Sequence, residues 1–143
     1  MTEAARHRRQ MACMVELTQQ TAGDFRQIGR LAARIWHVPK PTTDAALVIL
    51  SEYAANAWQH SGSEEVALRL STSGSLLSVA VRDFGAWHTK QASHPEWWHE
   101  GGRGLAVVRR LAQETGGSAG CHHPRSGGTI AWAHLCLRTR TTT

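Results

Sequence analysis

The chain has 143 residues and a mass of 15.7 kDa, with 41% hydrophobic and 19% charged residues. This length predicts a single domain, and the apolar fraction excludes a disordered, highly charged tail. The net charge is +5 with neutral histidines, and only Lys40 and Lys90 among the basic residues are lysines. The arginines are scattered and do not form a basic stripe interleaved with aromatic residues, so we do not expect nucleic acid as the partner.

We expect neither a membrane-spanning helix nor a secretory signal, and the cysteines do not indicate a zinc site. No apolar run approaches the roughly 18 residues that a membrane helix needs, and no apolar segment of a secretory signal follows the basic start. The three cysteines, Cys13, Cys121 and Cys136, lack the paired spacing of a zinc site. Cys121 adjoins two histidines, but a second ligand pair is missing, so structural zinc is not expected. We predict a reducing, cytoplasmic location away from membranes.

The first half of the chain predicts one strand and two helices. Residues 1–11 are expected to fray, and a short strand follows over 12–18. Residues 22–37 predict an amphipathic helix. Its apolar stripe is Phe25, Ile28, Leu31, Ala32 and Ile35.

Two prolines, Pro39 and Pro41, separate this helix from the second one. Thr42 or Thr43 would cap the second helix, which would run to about Ser61 and stop at the following glycine. Residues 45–50 are apolar all round, which predicts that this part of the helix is buried.

The second half predicts two pairs of strands around one helix. Segments 64–71 and 76–83 alternate in polarity and are joined by a short turn, which is typical of a hairpin. An irregular stretch over 84–100 leads to a helix over Leu105–Glu114, and strands over 117–123 and 128–137 close the domain. The tail 138–143 is expected to fray.

This order of elements predicts one α+β domain over residues 1–143, with its core at about 12–137. We expect a two-layer α/β sandwich, with helices on one face of a mixed, mostly antiparallel sheet.

The second predicted helix carries two polar residues, Glu52 and Asn56, four positions apart and therefore on one face. A buried carboxylate and amide need partners, and their oxygens are ligands that suit Mg²⁺ bound together with phosphates. A polar patch that faces solvent is the alternative, and this spacing alone does not separate the two interpretations.

Asp83 and Gly85 stand at the end of a predicted strand. A carboxylate at this position can accept a hydrogen bond from an exocyclic amine such as that of adenine, and the glycine would let a ring approach the backbone. An ordinary Asp-Gly turn after a strand is the alternative.

A glycine-rich segment, Gly101-Gly102-Arg103-Gly104-Leu105, precedes the third predicted helix. Free N–H groups at such a helix start attract phosphate. The segment does not match the Walker pattern or the dinucleotide-binding fingerprint. A flexible hinge before the helix is the alternative interpretation.

Taken in order, four segments resemble one known family. They are LVILSEYAANAWQHSG, VAVRDFG, EGGRGLAVVRRLAQETG and GGTIAWAHL. Together they resemble the GHKL-type ATP-binding domain, and above all its small stand-alone branch, the anti-sigma factor serine/threonine-protein kinases that resemble histidine-kinase ATPase domains. The resemblance spans about residues 12–137 and implies the histidine-kinase-like α/β sandwich.

The resemblance also implies roles for individual residues. Asn56 would hold Mg²⁺ on the phosphates of ATP, and Glu52 would act as general base or orient a water molecule. Asp83 would accept from the adenine amine beside Gly85, and Thr129 would belong to the adenine-side network.

The phosphate box and the lid follow from the same resemblance. Residues 86–100 would form the ATP lid. The residues that would close over the phosphates are Gly102, Arg103, Gly104 and Leu105.

Two features depart from the family pattern. Ala86-Trp87 replaces the usual small or proline-containing turn, and the lid segment also contains Trp97 and Trp98 with several histidines. Because no lysine stands near the phosphate box, Mg²⁺, Arg103 and backbone dipoles would neutralise the phosphate charge.

The function implied by the resemblance is that of an anti-sigma factor with ATP-dependent serine/threonine kinase activity. Its protein partners would be an anti-sigma factor antagonist, as substrate, and a sigma factor. A non-catalytic nucleotide-binding module that regulates a protein partner is the main alternative. The ATPase part of a split histidine kinase would require a preceding phosphoacceptor helix pair, and a nucleic-acid-binding regulator would rest on net charge alone. Whether the chain forms a homodimer is left open.

Overall fold

The computed structural model describes residues 8–86 and 103–137. Over these residues the strands are β1 (Arg9–Glu16), β2 (Glu65–Thr72), β3 (Leu76–Asp83), β4 (Ser118–His122) and β5 (Thr129–Cys136). The helices are α1 (Thr21–Ile35), α2 (Lys40–His60) and α3 (Arg103–Glu114).

The strands form one sheet in the order β1-β2-β3-β5-β4, and each described pair of neighbours is antiparallel. The helices lie on one face, so the predicted α+β sandwich is confirmed. In β2 and β3 buried residues alternate with more exposed ones, as the sequence predicts. The buried set of β2 and β3 includes Val66, Leu68, Leu70, Leu77, Val79 and Val81.

Helix α1 is rotated relative to the predicted apolar stripe. Phe25 and Ala32 are buried as expected, but Leu31 is 53% exposed and Ile35 is 48% exposed, so the stripe is wrong at these two positions. The reason is the close contact with α2 at Gly29, where a Cβ atom would lie 2.9 Å from Leu50 Cδ1. The buried line of α1 therefore runs through Phe25, Gly29 and Ala32.

The start of α2 also differs from the prediction. The helix begins at Lys40 after Pro39, with Pro41 inside the first turn, because proline's missing N–H costs nothing there and its fixed φ suits a helix. The expected caps are therefore wrong: the Thr43 hydroxyl donates to the Pro39 carbonyl at 3.1 Å, and the Thr42 hydroxyl donates to a carbonyl of β5. Gly62 follows the helix with φ of 66°, as the predicted stop requires.

Two smaller predictions need correction. Residues 9–11, expected to fray, belong to β1 because they pair with β2. The burial expected all round residues 45–50 fails at Val48, which is 40% exposed because it lies on the outer side of α2.

Several predicted features lie outside the described residues. These are residues 1–7 of the start, Gly101 and Gly102, residues 87–100 of the lid segment with its tryptophans, and the tail 138–143. None of the helices in the described part of the chain is long and apolar enough to cross a membrane.

Candidate functional site

Helix α2 links the two ends of the candidate site. Its C-terminal end meets the segment after β3, because a Cβ atom built on Gly85 would overlap the Ser61 carbonyl. Asn56 and Glu52 stand five and nine residues before Ser61. At 1.5 Å per helical residue, they lie about 7.5 Å and about 13.5 Å back along the axis. The predicted site residues of α2 are thus spread along one elongated site.

The first end is formed by the register of β3 and β5. Asp83 and Thr129 are directly paired across the two strands, and each is only 3% exposed. The Gly85 backbone N–H donates to Asp83 Oδ1 at 3.2 Å. The structure therefore brings together the three residues that the sequence analysis assigned to the adenine side, and it buries the polar pair.

Two glycines let the backbone close tightly around Asp83. Besides Gly85, Gly128 precedes Thr129 with φ of 80°, and a Cβ atom there would overlap the Asp83 carbonyl. Thr129 was predicted from the sequence as a site residue, whereas Gly128 was not. The doublet Gly127-Gly128 before an alternating strand was the available signal.

The second end lies where α2 meets the start of α3. A Cβ atom on Gly104 would overlap Glu52 Oε2, so the Glu52 carboxylate occupies the space that only glycine leaves free. Because Gly104 is in the first turn of α3, this carboxylate stands at the positive end of the helix dipole. The predicted base and the predicted phosphate box are thus in contact.

The side chain of Asn56 is incompletely partnered. Its Nδ2 atom is buried and has no hydrogen-bond partner among the described residues. A buried unpaired amide costs about 1–3 kcal/mol. A half-turn of the amide would place the oxygen there instead, so a bound ligand could use either atom. The Asn56 amide lacks a full set of partners, and its oxygen can serve as a metal ligand. Both features fit a Mg²⁺ ion that also binds phosphate oxygens.

The rest of the predicted phosphate box is only partly described. Leu105 is 3% exposed and belongs to the hydrophobic core, so its side chain anchors α3. Arg103 is the first residue of α3, and its side chain lies outside the described part of the structure. In the residues that are described, no group of three His, Cys, Asp or Glu side chains could hold a metal ion.

Tyr53 was not predicted and fixes the position of α2. It is 2% exposed, and its hydroxyl donates to the Trp132 carbonyl on β5 at 2.6 Å. Burial raises the pKa of Tyr53, and the neighbouring Cys121 thiolate would raise it further. The phenol therefore stays neutral and ties the helix to the sheet beneath the site.

Solved structures with the same fold include histidine kinases from Erythrobacter litoralis EL346. The histidine kinase domain of a blue-light activated histidine kinase is 25% identical with a TM-score of 0.58, over 86% of this chain and 65% of that one. A longer form of that kinase is 28% identical with a TM-score of 0.60, over 90% and 44%. This chain thus spans less than two thirds of either protein.

The RsbU and RsbW domains of Rv1364c from Mycobacterium tuberculosis share the fold at 21% identity. Their TM-score is 0.65, over 94% of this chain and 35% of that one. Comparison with curated proteins gives no significant match.

The family comparison covers most of the chain. The model of the histidine kinase-like ATPase domain matches residues 15–132. This range runs from the last two residues of β1 to the first half of β5 and contains the predicted site residues from Glu52 to Thr129. The chain therefore belongs to the histidine kinase-like ATPase family.

Proposed function

We propose that this protein binds Mg²⁺-ATP and transfers the γ-phosphoryl group to a serine or threonine of an anti-sigma factor antagonist in the cytoplasm. In this proposal it is an anti-sigma factor whose second partner is a sigma factor. The four sequence segments resemble the stand-alone branch of the family, and this resemblance supports a protein as the substrate. Membership of an ATPase family supports ATP as the nucleotide.

The observation that carries the proposal is the contact of Glu52 with Gly104. A carboxylate at the start of α3 can receive a proton where the helix dipole attracts phosphate oxygens. Asp83 and Thr129, at the other end of α2, supply buried polar groups for the base. An elongated site with these two ends suits a nucleotide with its base on the sheet and its phosphates on α3.

The chemistry assigned to the site is an in-line phosphoryl transfer. The substrate hydroxyl oxygen forms a bond to the γ-phosphorus while the bond from that phosphorus to the β–γ bridging oxygen breaks, which releases ADP. Glu52 accepts the hydroxyl proton and later gives it to solvent. Asn56 would hold Mg²⁺, which would supply charge neutralisation for the phosphates when bound.

The experiment has two stages that separate binding from transfer. Calorimetry with ATP, with and without Mg²⁺, tests the nucleotide site, and the Asn56→Ala variant should bind Mg²⁺-ATP more weakly while it keeps its fold. Transfer of labelled phosphate to candidate antagonists tests the kinase, and Glu52→Gln should abolish transfer but retain binding.

The outcomes distinguish the proposal from its main alternative. Absence of ATP binding by the wild-type protein would overturn the whole proposal. ATP binding without transfer to any antagonist that forms a complex with the protein would favour the non-catalytic regulatory module instead.

A further inference from the structure

In the Cys121-His122-His123 segment, His123 contacts a residue of the candidate site. Its Nδ1 lies 3.0 Å from Thr129 Oγ1, within hydrogen-bond distance. Thr129 is 3% exposed and faces Asp83 across the strands, whereas His123 is on the surface just after β4. One hydrogen bond thus connects a solvent-accessible imidazole to the buried end of the site.

We propose that His123 is a positioning residue of the nucleotide site, which sets whether the Thr129 hydroxyl donates or accepts beside Asp83 at the buried end of the site. This inference rests on the proposed function, since it assigns this end of the site to the adenine base. Neither the composition of the chain nor the family resemblance pointed to this histidine.

The Thr129 hydroxyl has a single proton, which it can direct either to His123 or into the site. A threonine hydroxyl has one proton to donate and two lone pairs to accept. When the imidazole is protonated, Nδ1 must donate, so the Thr129 oxygen accepts from His123 and its own proton is free to point toward Asp83 and the site. In the neutral ring the proton lies on either nitrogen. With the proton on Nδ1 the ring still donates to Thr129, but with the proton on Nε2 the Nδ1 atom accepts, and the Thr129 proton is directed to His123.

The surroundings decide which state favours a ligand. Asp83, opposite Thr129, only accepts hydrogen bonds when ionised. The edge of adenine presents a ring nitrogen acceptor next to its amine. A Thr129 hydroxyl that points its proton inward can donate to the Asp83 carboxylate or to the adenine ring nitrogen. A hydroxyl that donates to His123 presents only a lone pair to these two acceptors, so no hydrogen bond forms with them. The protonated ring always donates to Thr129, whereas the neutral ring does so in only one of its two tautomers. Adenine nucleotides should therefore bind best when His123 is protonated.

Other charged and titratable groups stand on the elements around this pair. On the sheet they are Asp83, Cys121 and Arg82, whose Nη2 donates to Ser126 in the β4–β5 turn. Arg125 lies in that turn, and α2 carries Glu52 and His60. A purely electrostatic effect of any of these groups on ATP binding would not need the Thr129 hydroxyl. Thr129→Val therefore distinguishes such an effect from the proposed hydrogen bond.

The test measures Mg²⁺-ATP affinity by calorimetry from about pH 5 to pH 8, where histidine titrates. For the wild-type protein we expect the Kd to rise roughly threefold to tenfold across this range, the size of one hydrogen bond. Both His123→Ala and Thr129→Val should lose this rise. Thr129→Ser keeps the hydroxyl and should retain it, as should His122→Ala, which removes the neighbouring exposed histidine.

Comparing variants with the same ligand cancels the titration of ATP itself. A pH profile of His123→Ala or Thr129→Val that parallels the wild-type profile would overturn the inference and leave the proposed function intact. Absence of ATP binding at every pH would overturn both.

A measurement without nucleotide tests the hydrogen bond itself. Ring-nitrogen chemical shifts in NMR spectra report the tautomer of each histidine. In Thr129→Val the shifts of His123 should change, while those of His122 stay as in the wild-type protein. Unchanged His123 shifts would overturn the inference.

Discussion

The two ends of the candidate site are built in different ways. At the sheet end, Asp83 and Thr129 are each 3% exposed and held in register by neighbouring strands. At the helix end, Glu52 and Asn56 are half-buried, and the contact with Gly104 depends on how α2 packs against α3. The first end is fixed by backbone hydrogen bonds, whereas the second is fixed by side-chain packing.

This difference predicts different sensitivities. Backbone overlap at the sheet end cannot be relieved by a side-chain rotation, so replacing its glycines should affect the fold. At the helix end the overlapping group is the end of a flexible glutamate side chain, and one amide atom lacks a partner. Substitutions there should spare the fold and affect ligand binding or transfer.

The largest expected effect is that of Gly85→Ala. The new methyl group would overlap the Ser61 carbonyl, so the end of α2 or the segment after β3 must shift. We expect the free energy of unfolding to fall by about 2–4 kcal/mol, as measured by urea denaturation.

Gly23→Ala is the matched control within α1. The nearest atom to its new methyl group would be Arg26 Nη2 at 3.6 Å, which is ordinary contact. The free energy of unfolding of this variant should rise by about 0.5–1 kcal/mol, because alanine loses less chain entropy than glycine when the helix forms. Equal stability of the two variants would refute the description of a rigid sheet end.

A second, smaller effect is expected for base recognition with Asp83→Asn. The amide turns a donor or a weaker acceptor toward the base amine, and an unmet buried group costs about 1–3 kcal/mol. We expect a loss of ATP affinity of roughly tenfold to one hundredfold, measured by calorimetry, and a wild-type preference for adenine over guanine nucleotides. The exposed pair of Lys40 and Asp44 offers the control, since Asp44→Asn should leave affinity unchanged. Tight GTP binding by the wild-type protein would contradict the assignment.

The third prediction concerns Asn56→Ala at the helix end. Because the Nδ2 atom already lacks a partner, the substitution should change the free energy of unfolding by less than about 1 kcal/mol. Mg²⁺-ATP affinity should fall about tenfold, the value of one charge-assisted contact. Thermal denaturation and calorimetry on the same variant provide the two measurements. A large loss of stability with unchanged affinity would reverse the roles assigned to the two ends.

The smallest expected effect on stability is that of Gly104→Ala. The methyl group displaces the Glu52 carboxylate, which can rotate away. The free energy of unfolding should therefore change by less than about 1 kcal/mol. The transfer rate should still fall about tenfold or more, because a misplaced base loses much of its advantage. Ala106→Ser, at an exposed position of α3, is the control for the helix itself. If Gly104→Ala retained full transfer activity, Glu52 would not be the residue that accepts the proton.

Much of this architecture could be predicted from local patterns. The alternation in 64–71 and 76–83 gave β2 and β3 with the correct inward face, because a period of two leaves little choice once one side is buried. The order of four motifs gave the family and therefore the fold. The start of α2 and the exposure of Leu31 could not be predicted, since they depend on Pro41 in a first turn and on the approach of α2 to Gly29.

The sequence alone determined which residue types stand at the two ends of the site and in what order. Only the tertiary structure decided that Asp83 faces Thr129, that Glu52 rests on Gly104, and that His123 reaches the buried hydroxyl. These contacts join residues that are 46, 52 and 6 positions apart, counted from the printed sequence. Local propensities carry no information on such pairs, because strand register and helix packing are set by burial across the whole sheet.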